Sequence, residues 1–181
     1  MVEEPAHNID ATLPSRVSPR LQSYDYCLPG TYFVTICTFQ RVCLFGRVCV
    51  DQMHLNAPGH EVARIWGTIP THRTGVQLDE YVVMPNHIHG LLTILADDET
   101  DAAGGQASMA SIVGQFKAEA TRAIHAIAGY EHARVWQRSF YDHIVRSESA
   151  LERVRQYVVD NPARWGEDED NPERGCSPRM S

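Results

Sequence analysis

The hydrophobic positions of the chain change period several times, and each change marks an element. Tyr32-Phe33-Val34-Thr35-Ile36-Cys37-Thr38-Phe39 is dense in β-branched and aromatic residues, which predicts a strand after the Pro29-Gly30 turn signal. A short hairpin is expected over 42–55, with Gly46 near one turn. Val62, Ile65, Trp66 and Ile69 then recur at i, i+3, i+4 and i+7 behind Pro58, the signature of an amphipathic helix with a favoured start. Two apolar runs, 76–84 and 87–95, flank Met84-Pro85-Asn86 and read as an antiparallel hairpin.

Past an acidic, Gly-rich segment at 97–105, the series Met109, Ile112, Val113, Phe116, Ala120, Ala123, Ile124 and Ile127 predicts a long helix. A strand is expected over Val135 to Arg146. A last helix is expected over about 149–161, opened by a Ser149/Glu152 capping box and closed by Pro162. The order β, hairpin, α, β, β, α, β, α fits an α+β fold. Its sheet would be four-stranded and antiparallel, with helices packed on one face in the ferredoxin-like manner.

Composition adds bounds. The 181 residues suit one domain, and 43% hydrophobic with 22% charged residues is ordinary globular usage. The expected division is an acidic flexible tail over 1–14, the domain over 15–165, and a second acidic flexible tail over 166–181. No apolar run approaches the ~20 residues of a bilayer span, and Met1-Val2-Glu3-Glu4-Pro5 is no signal peptide, so no membrane association and a cytoplasmic location are expected. Cys27, Cys37, Cys43, Cys49 and Cys176 form no Cys-x-x-Cys pair and read as free thiols.

A net charge of −7 argues against a nucleic-acid partner until it is partitioned. The two tails carry −3 each and residues 97–101 carry −4, which leaves +3 on the remainder. Apart from Lys117, every cation there is an arginine, the better fork for phosphate.

Two clusters carry chemistry. His87 and His89 are two apart on a strand and share a face. Two imidazoles with an oxygen ligand hold a divalent cation and leave positions for substrate, although a chance pair of histidines reads the same way. On the last helix, Tyr157 and Asn161 are four apart and share a face, with Arg153 a turn earlier. Taken alone they are a core tyrosine and a helix-capping asparagine. Combined with a metal pair they constitute a phosphoryl-transfer site, with the phenol as nucleophile.

Four motifs, YFVTIC at 32–37, YVVMPNHIHG at 81–90, WQRSFYDHIVR at 136–146 and YVVDNPARW at 157–165, occur in order across residues 15–166. In these the chain resembles the single-tyrosine HUH transposases of bacterial insertion sequences, nearest the REP-associated tyrosine transposase branch. The resemblance implies a ferredoxin-like fold, a homodimer, and single-stranded or hairpin DNA as partner. It also implies strand cleavage with Mg²⁺ or Mn²⁺ that leaves a 5′-phosphotyrosine and a free 3′-hydroxyl, reversal of which rejoins strands. It makes His87 and His89 metal ligands, Asn161 the third ligand, and Tyr157 the nucleophile, with Tyr141 as its rival. His143, in the same motif as Tyr141, would orient DNA or a site residue.

Lys117, Arg122, Arg138, Arg146 and Arg153 are the candidate phosphate contacts. Phe39-Gln40 departs from the pattern, standing where a polar His-Asn-like pair is expected. Three further readings compete: a domesticated DNA-binding protein of the same fold, a metal-dependent nucleotide phosphohydrolase with water as nucleophile, and a small α+β interaction module in which the histidine pair is purely structural.

Overall fold

A computed structural model describes residues 29–96, 108–172 and 174. The expected tail at 1–14, the acidic stretch 97–105 and the end of the chain from 175 lie outside the described residues.

Among the described residues, six strands and four helices run in the order β1 (Gly30–Cys37), β2 (Gly46–Cys49), β3 (Gln52–Leu55), α1 (Ala57–Gly67), α2 (Ile69–His72), β4 (Val76–Val83), β5 (His87–Ile94), α3 (Met109–His125), β6 (Tyr141–Val145) and α4 (Glu148–Asp160). Four strands form one antiparallel sheet in the order β4-β5-β1-β6, and β2 and β3 form a separate hairpin. The sheet order and its α-helical crossovers are those of a ferredoxin-like fold. No helix among the described residues is long and apolar enough to cross a membrane.

The central strands β1 and β5 are buried on both sides, so each strand splits its residues between two cores. Tyr32, Val34 and Ile36 of β1, with Ile88, Leu92 and Ile94 of β5, meet Val62, Ile65 and Trp66 of α1 and Ile112, Val113, Phe116, Ala120 and Ile124 of α3. Phe33 and Leu91 point the other way and meet Val154 and Val158 of α4. The expectation of helices on one face therefore holds for α1 and α3. By contrast, α4 lies across the opposite face, because its apolar stripe matches the odd-numbered positions of β1 and β5.

Local signals explain most boundaries. Asn56 caps α1 by accepting from the Gly59 N–H at 3.0 Å, and Ser108 caps α3 by accepting from the Ser111 N–H at 3.2 Å. Several boundaries differ from expectation: β1 stops at Cys37 short of Phe39, the helix expected through Ile69 breaks at Thr68, and α3 stops at His125 short of Ile127; three further cases have a local cause. The N-cap of α4 is Ser147, whose extended backbone lets its hydroxyl accept from the Ala150 N–H; Ser149 is already inside the helix. The hairpin turns at Val50-Asp51, both left-handed (φ 48 and 59), while Gly46 opens β2.

The third difference is the strand expected from Val135, which begins only at Tyr141. Val135 and Trp136 instead plug the core, with Trp136 bridging to Thr38. The next three carbonyls, of Gln137, Arg138 and Ser139, converge on the ammonium of Lys117 at 2.9, 3.4 and 3.1 Å.

An ion pair ties α4 to the outer strand: Arg155 donates to both carboxylate oxygens of Asp79, at 2.6–3.1 Å. The hydrogen bond from Arg155 is the chief reason that the Asp79 carboxyl titrates below its ordinary range. A depressed carboxylate contributes stability above its unfolded pKa and loses it as pH falls through the folded value. Asp79→Asn should thus melt about 2 °C below wild type at pH 6, and the gap should close once pH falls well below 3.8. A gap that persists in thermal melts at pH 2.5 would contradict this account.

Candidate metal and nucleophile site

The two histidines sit where β5 begins, on the face covered by α4, and both are fully buried. Their hydrogen bonds define which ring nitrogen is left to bind. Asn86 donates through Nδ2 to the carbonyls of Arg41 (3.0 Å) and Asp170 (2.6 Å), so its Oδ1 is the atom facing His87 Nδ1 at 2.9 Å. His87 must then carry its proton on Nδ1, and Nε2 presents a lone pair. For His89, the Thr35 hydroxyl lies 2.8 Å from Nδ1 and orients the ring from the neighbouring strand. The opposite nitrogen, Nε2, faces α4. Both rings are held as metal-binding histidines are, each anchored by one nitrogen.

From α4, the Tyr157 hydroxyl approaches to 3.5 Å from His89 Nε2, while its ring stands edge-on to Phe33. Asn161, one turn later, is 2% exposed at the C-cap of the helix. Its side-chain Oδ1 is buried and accepts no hydrogen bond among the described residues. A buried carbonyl oxygen without a donor is costly unless an ion or water supplies the missing partner. That orphaned oxygen is of the chemistry that a divalent cation takes, and it lies one helical turn from the tyrosine that approaches His89.

The sequence reading places residues from 166 onward in a flexible tail. The structure instead folds the start of that segment back over the site. Trp165–Glu167 forms a single 3₁₀ turn, and the Trp165 ring lies 6.1 Å from that of His87. Asp168 offers a carboxylate oxygen that lies with one nitrogen each of His87 and His89 inside 4.8 Å of one another. Asp170 is 5% exposed, with its carboxylate paired to Arg41 and 3.9 Å from His87 Nδ1. Both aspartates escaped the sequence reading because an acidic run near a terminus looks like a solvated tail. The available signal was Trp165 directly ahead of them, an aromatic with no reason to sit in a tail.

The other candidates are dispersed. Tyr141 opens β6 opposite Thr35, which itself lies opposite His89, so the three share a row across the sheet. That puts Tyr141 two strands from His89, or about 10 Å at ordinary strand spacing. Burial, and then the Asp142 charge, raise the pKa of its phenol. His143 is half-buried two residues along β6, and burial and Arg146 lower its pKa. Lys117, engaged with three carbonyls, and Arg122 belong to α3 on the far face of the sheet. Burial pulls the Lys117 ammonium down to about 8. Arg138 and Arg146 are exposed in loops, and Arg153 is exposed on α4 itself. At the departure from the expected motif, the Phe39 ring is covered by the Arg134 guanidinium at 4.0 Å, and Gln40 is left-handed (φ 53).

The βαββαβ sheet carries an additional helix that sets a tyrosine over a histidine pair. Residues 60–161 match the sequence model of the family described as Transposase IS200 like, and the chain belongs to that family. It is 35% identical over 173 residues to an uncharacterised Haemophilus influenzae protein, a match covering 88% of this chain and 95% of that one. A second Haemophilus influenzae protein, named as a REP-associated tyrosine transposase, is 25% identical over 84 residues, covering 46% of this chain and 48% of its own. Among solved structures, a REP-associated tyrosine transposase bound to a REP hairpin superposes with a TM-score of 0.55. That match has 20% identity and covers 81% of this chain and 74% of the other; it bears on the fold.

Proposed function

We propose that this protein nicks and rejoins single-stranded or hairpin DNA, with a divalent metal, Mg²⁺ or Mn²⁺, and Tyr157 as the covalent nucleophile. The observation that carries the reading is the phenol 3.5 Å from His89 Nε2, over a histidine pair whose rings are each anchored through Nδ1. Family membership supports a role in DNA transposition.

His87 and His89 through Nε2 and Asn161 through Oδ1 would hold the metal. When bound, it would polarise the scissile phosphate and screen its charge. Tyr157 supplies the oxygen that attacks phosphorus. The new Oη–P bond forms as the bond from phosphorus to the 3′ oxygen breaks, and the phenol proton is balanced by the one that completes the 3′-hydroxyl. One phosphodiester becomes another, so attack by a 3′-hydroxyl on the phosphotyrosine reseals the strand without ATP. Phe33 stands edge-on to the Tyr157 ring and covers one side of it. Tyr157 would act with the histidines of its own chain, which its hydroxyl approaches. The homodimer that the resemblance implies would then carry two such sites, and Arg153, exposed on the same helix, would be a phosphate contact.

The test uses full-length protein, labelled single-stranded hairpin DNAs and Mn²⁺ on denaturing gels. A protein–DNA adduct is expected in wild type, absent with chelator and reduced by about 10²-fold or more in His87→Ala. Cleaved nucleotides without any adduct would favour the phosphohydrolase, and binding without cleavage in either metal would favour a domesticated DNA-binding protein.

A further inference from the structure

Charged side chains are rarely buried unless paired, yet the run Glu167-Asp168-Glu169-Asp170 contains one aspartate that is 5% exposed and one that is half-buried. Both have defined environments. The Asp170 carboxylate pairs with Arg41, and its main-chain carbonyl accepts from Asn86 Nδ2 at 2.6 Å. Arg41 sits in a left-handed conformation (φ 58), and its own carbonyl is the second acceptor of the same Asn86 amide. Asp170 therefore bears on Asn86 twice, directly through its carbonyl and indirectly by anchoring Arg41. Asn86 in turn holds His87 at Nδ1. The main-chain N–H of Asp170 donates to Asp168 Oδ1 at 2.7 Å, which orients a carboxylate already grouped with the two imidazoles.

We infer that Asp168 is a fourth protein ligand of the divalent metal, and that Asp170 is a positioning residue that keeps His87 in its metal-binding tautomer through Asn86. This rests on the metal-dependent reading above. Two neutral imidazoles and an amide oxygen bring no charge to a 2+ ion, whereas hard cations such as Mg²⁺ and Mn²⁺ favour at least one carboxylate. Asp168 supplies it. An ion held by these four residues would keep coordination positions for the substrate. The acidic segment is on this account a built part of the site, and its removal weakens metal binding.

The inference can be tested by titrating Mn²⁺ into metal-stripped, full-length protein by calorimetry, with thermal melts of each apo variant as a folding check. Asp168→Asn should lose about 100-fold in affinity, and Asp170→Asn about 10- to 100-fold. Glu167→Gln, an exposed neighbour with the same charge change, should match wild type. Ring ¹⁵N spectra of His87 report the positioning role separately: wild type should show a single Nδ1-protonated form, and Asp170→Asn a mixture. Asp168→Asn binding no more weakly than Glu167→Gln overturns the ligand assignment. An unchanged His87 spectrum in Asp170→Asn overturns the positioning role. If wild type takes up no Mn²⁺, or His87→Ala binds as well as wild type, it is the metal-dependent reading itself that fails.

Discussion

Tyr157→Phe is expected to abolish the DNA–protein adduct, lowering its yield by about 10³-fold or more, because removal of a covalent nucleophile eliminates the step itself. The substitution deletes one oxygen and keeps the ring. Its edge-on contact with Phe33 and the packing of Val154 and Val158 should therefore survive, along with the melting temperature and the Mn²⁺ affinity. Tyr141→Phe is the informative partner. Its phenol shares the face and the row of His89 but is two strands away, and burial opposes formation of its phenolate. Adduct formation should continue in that variant. The opposite pattern, adduct lost with Tyr141→Phe and kept with Tyr157→Phe, would reassign the nucleophile, and persistence in both would remove tyrosine from the mechanism.

Gly90→Ala should be among the most destabilising single-methyl changes available in this chain. Gly90 lies between His89 and Leu91 on a strand buried on both sides, with its α-hydrogens directed at the fully buried indole of Trp66. A β-carbon there would stand 2.9 Å from Cε2 and Cη2 of that ring and closer still to Cζ2. The indole cannot retreat, since it packs perpendicular to Phe116 at 5.2 Å between ring centres. Overpacking of this kind costs about 3 kcal/mol, or roughly 6–12 °C in melting temperature for a domain of this size. The strain falls on β5 itself, so metal affinity should drop as well. Trp66→Leu should relieve it: the double variant is expected to be more stable than the two single losses added together. A Gly90→Ala protein that melts with wild type would show that the ring yields easily.

Much of the fold was legible in the residues. The helix start at Pro58, the stripe from Met109 to Ile124, and the paired runs about Met84-Pro85-Asn86 are local patterns that a folded context did not overrule. The strand expected from Val135 failed because an apolar, β-branched run looks alike whether its backbone pairs in a sheet or its side chains merely fill a core. The helix start at Ser149 slipped by two residues because Ser147, Glu148 and Ser149 offer overlapping caps, and only backbone angles choose among them. Asp168 and Asp170 were misread for a different reason: charge density near a terminus predicts solvent exposure, and nothing local announces that Arg41, more than 120 residues earlier, will pair with one of them.

By itself, then, the sequence determined the element order, the shared face of His87 and His89, and the helical spacing of Tyr157 and Asn161. All of these follow from backbone periodicity over a few residues. Tertiary structure decided which face α4 covers, and so that Tyr157 rather than Tyr141 meets His89. It also decided that Lys117 is spent on three loop carbonyls and that the acidic segment folds back beside the histidine pair. These outcomes depend on contacts between residues distant in sequence, where burial and the need to pair every buried polar group choose among arrangements that local patterns leave equal.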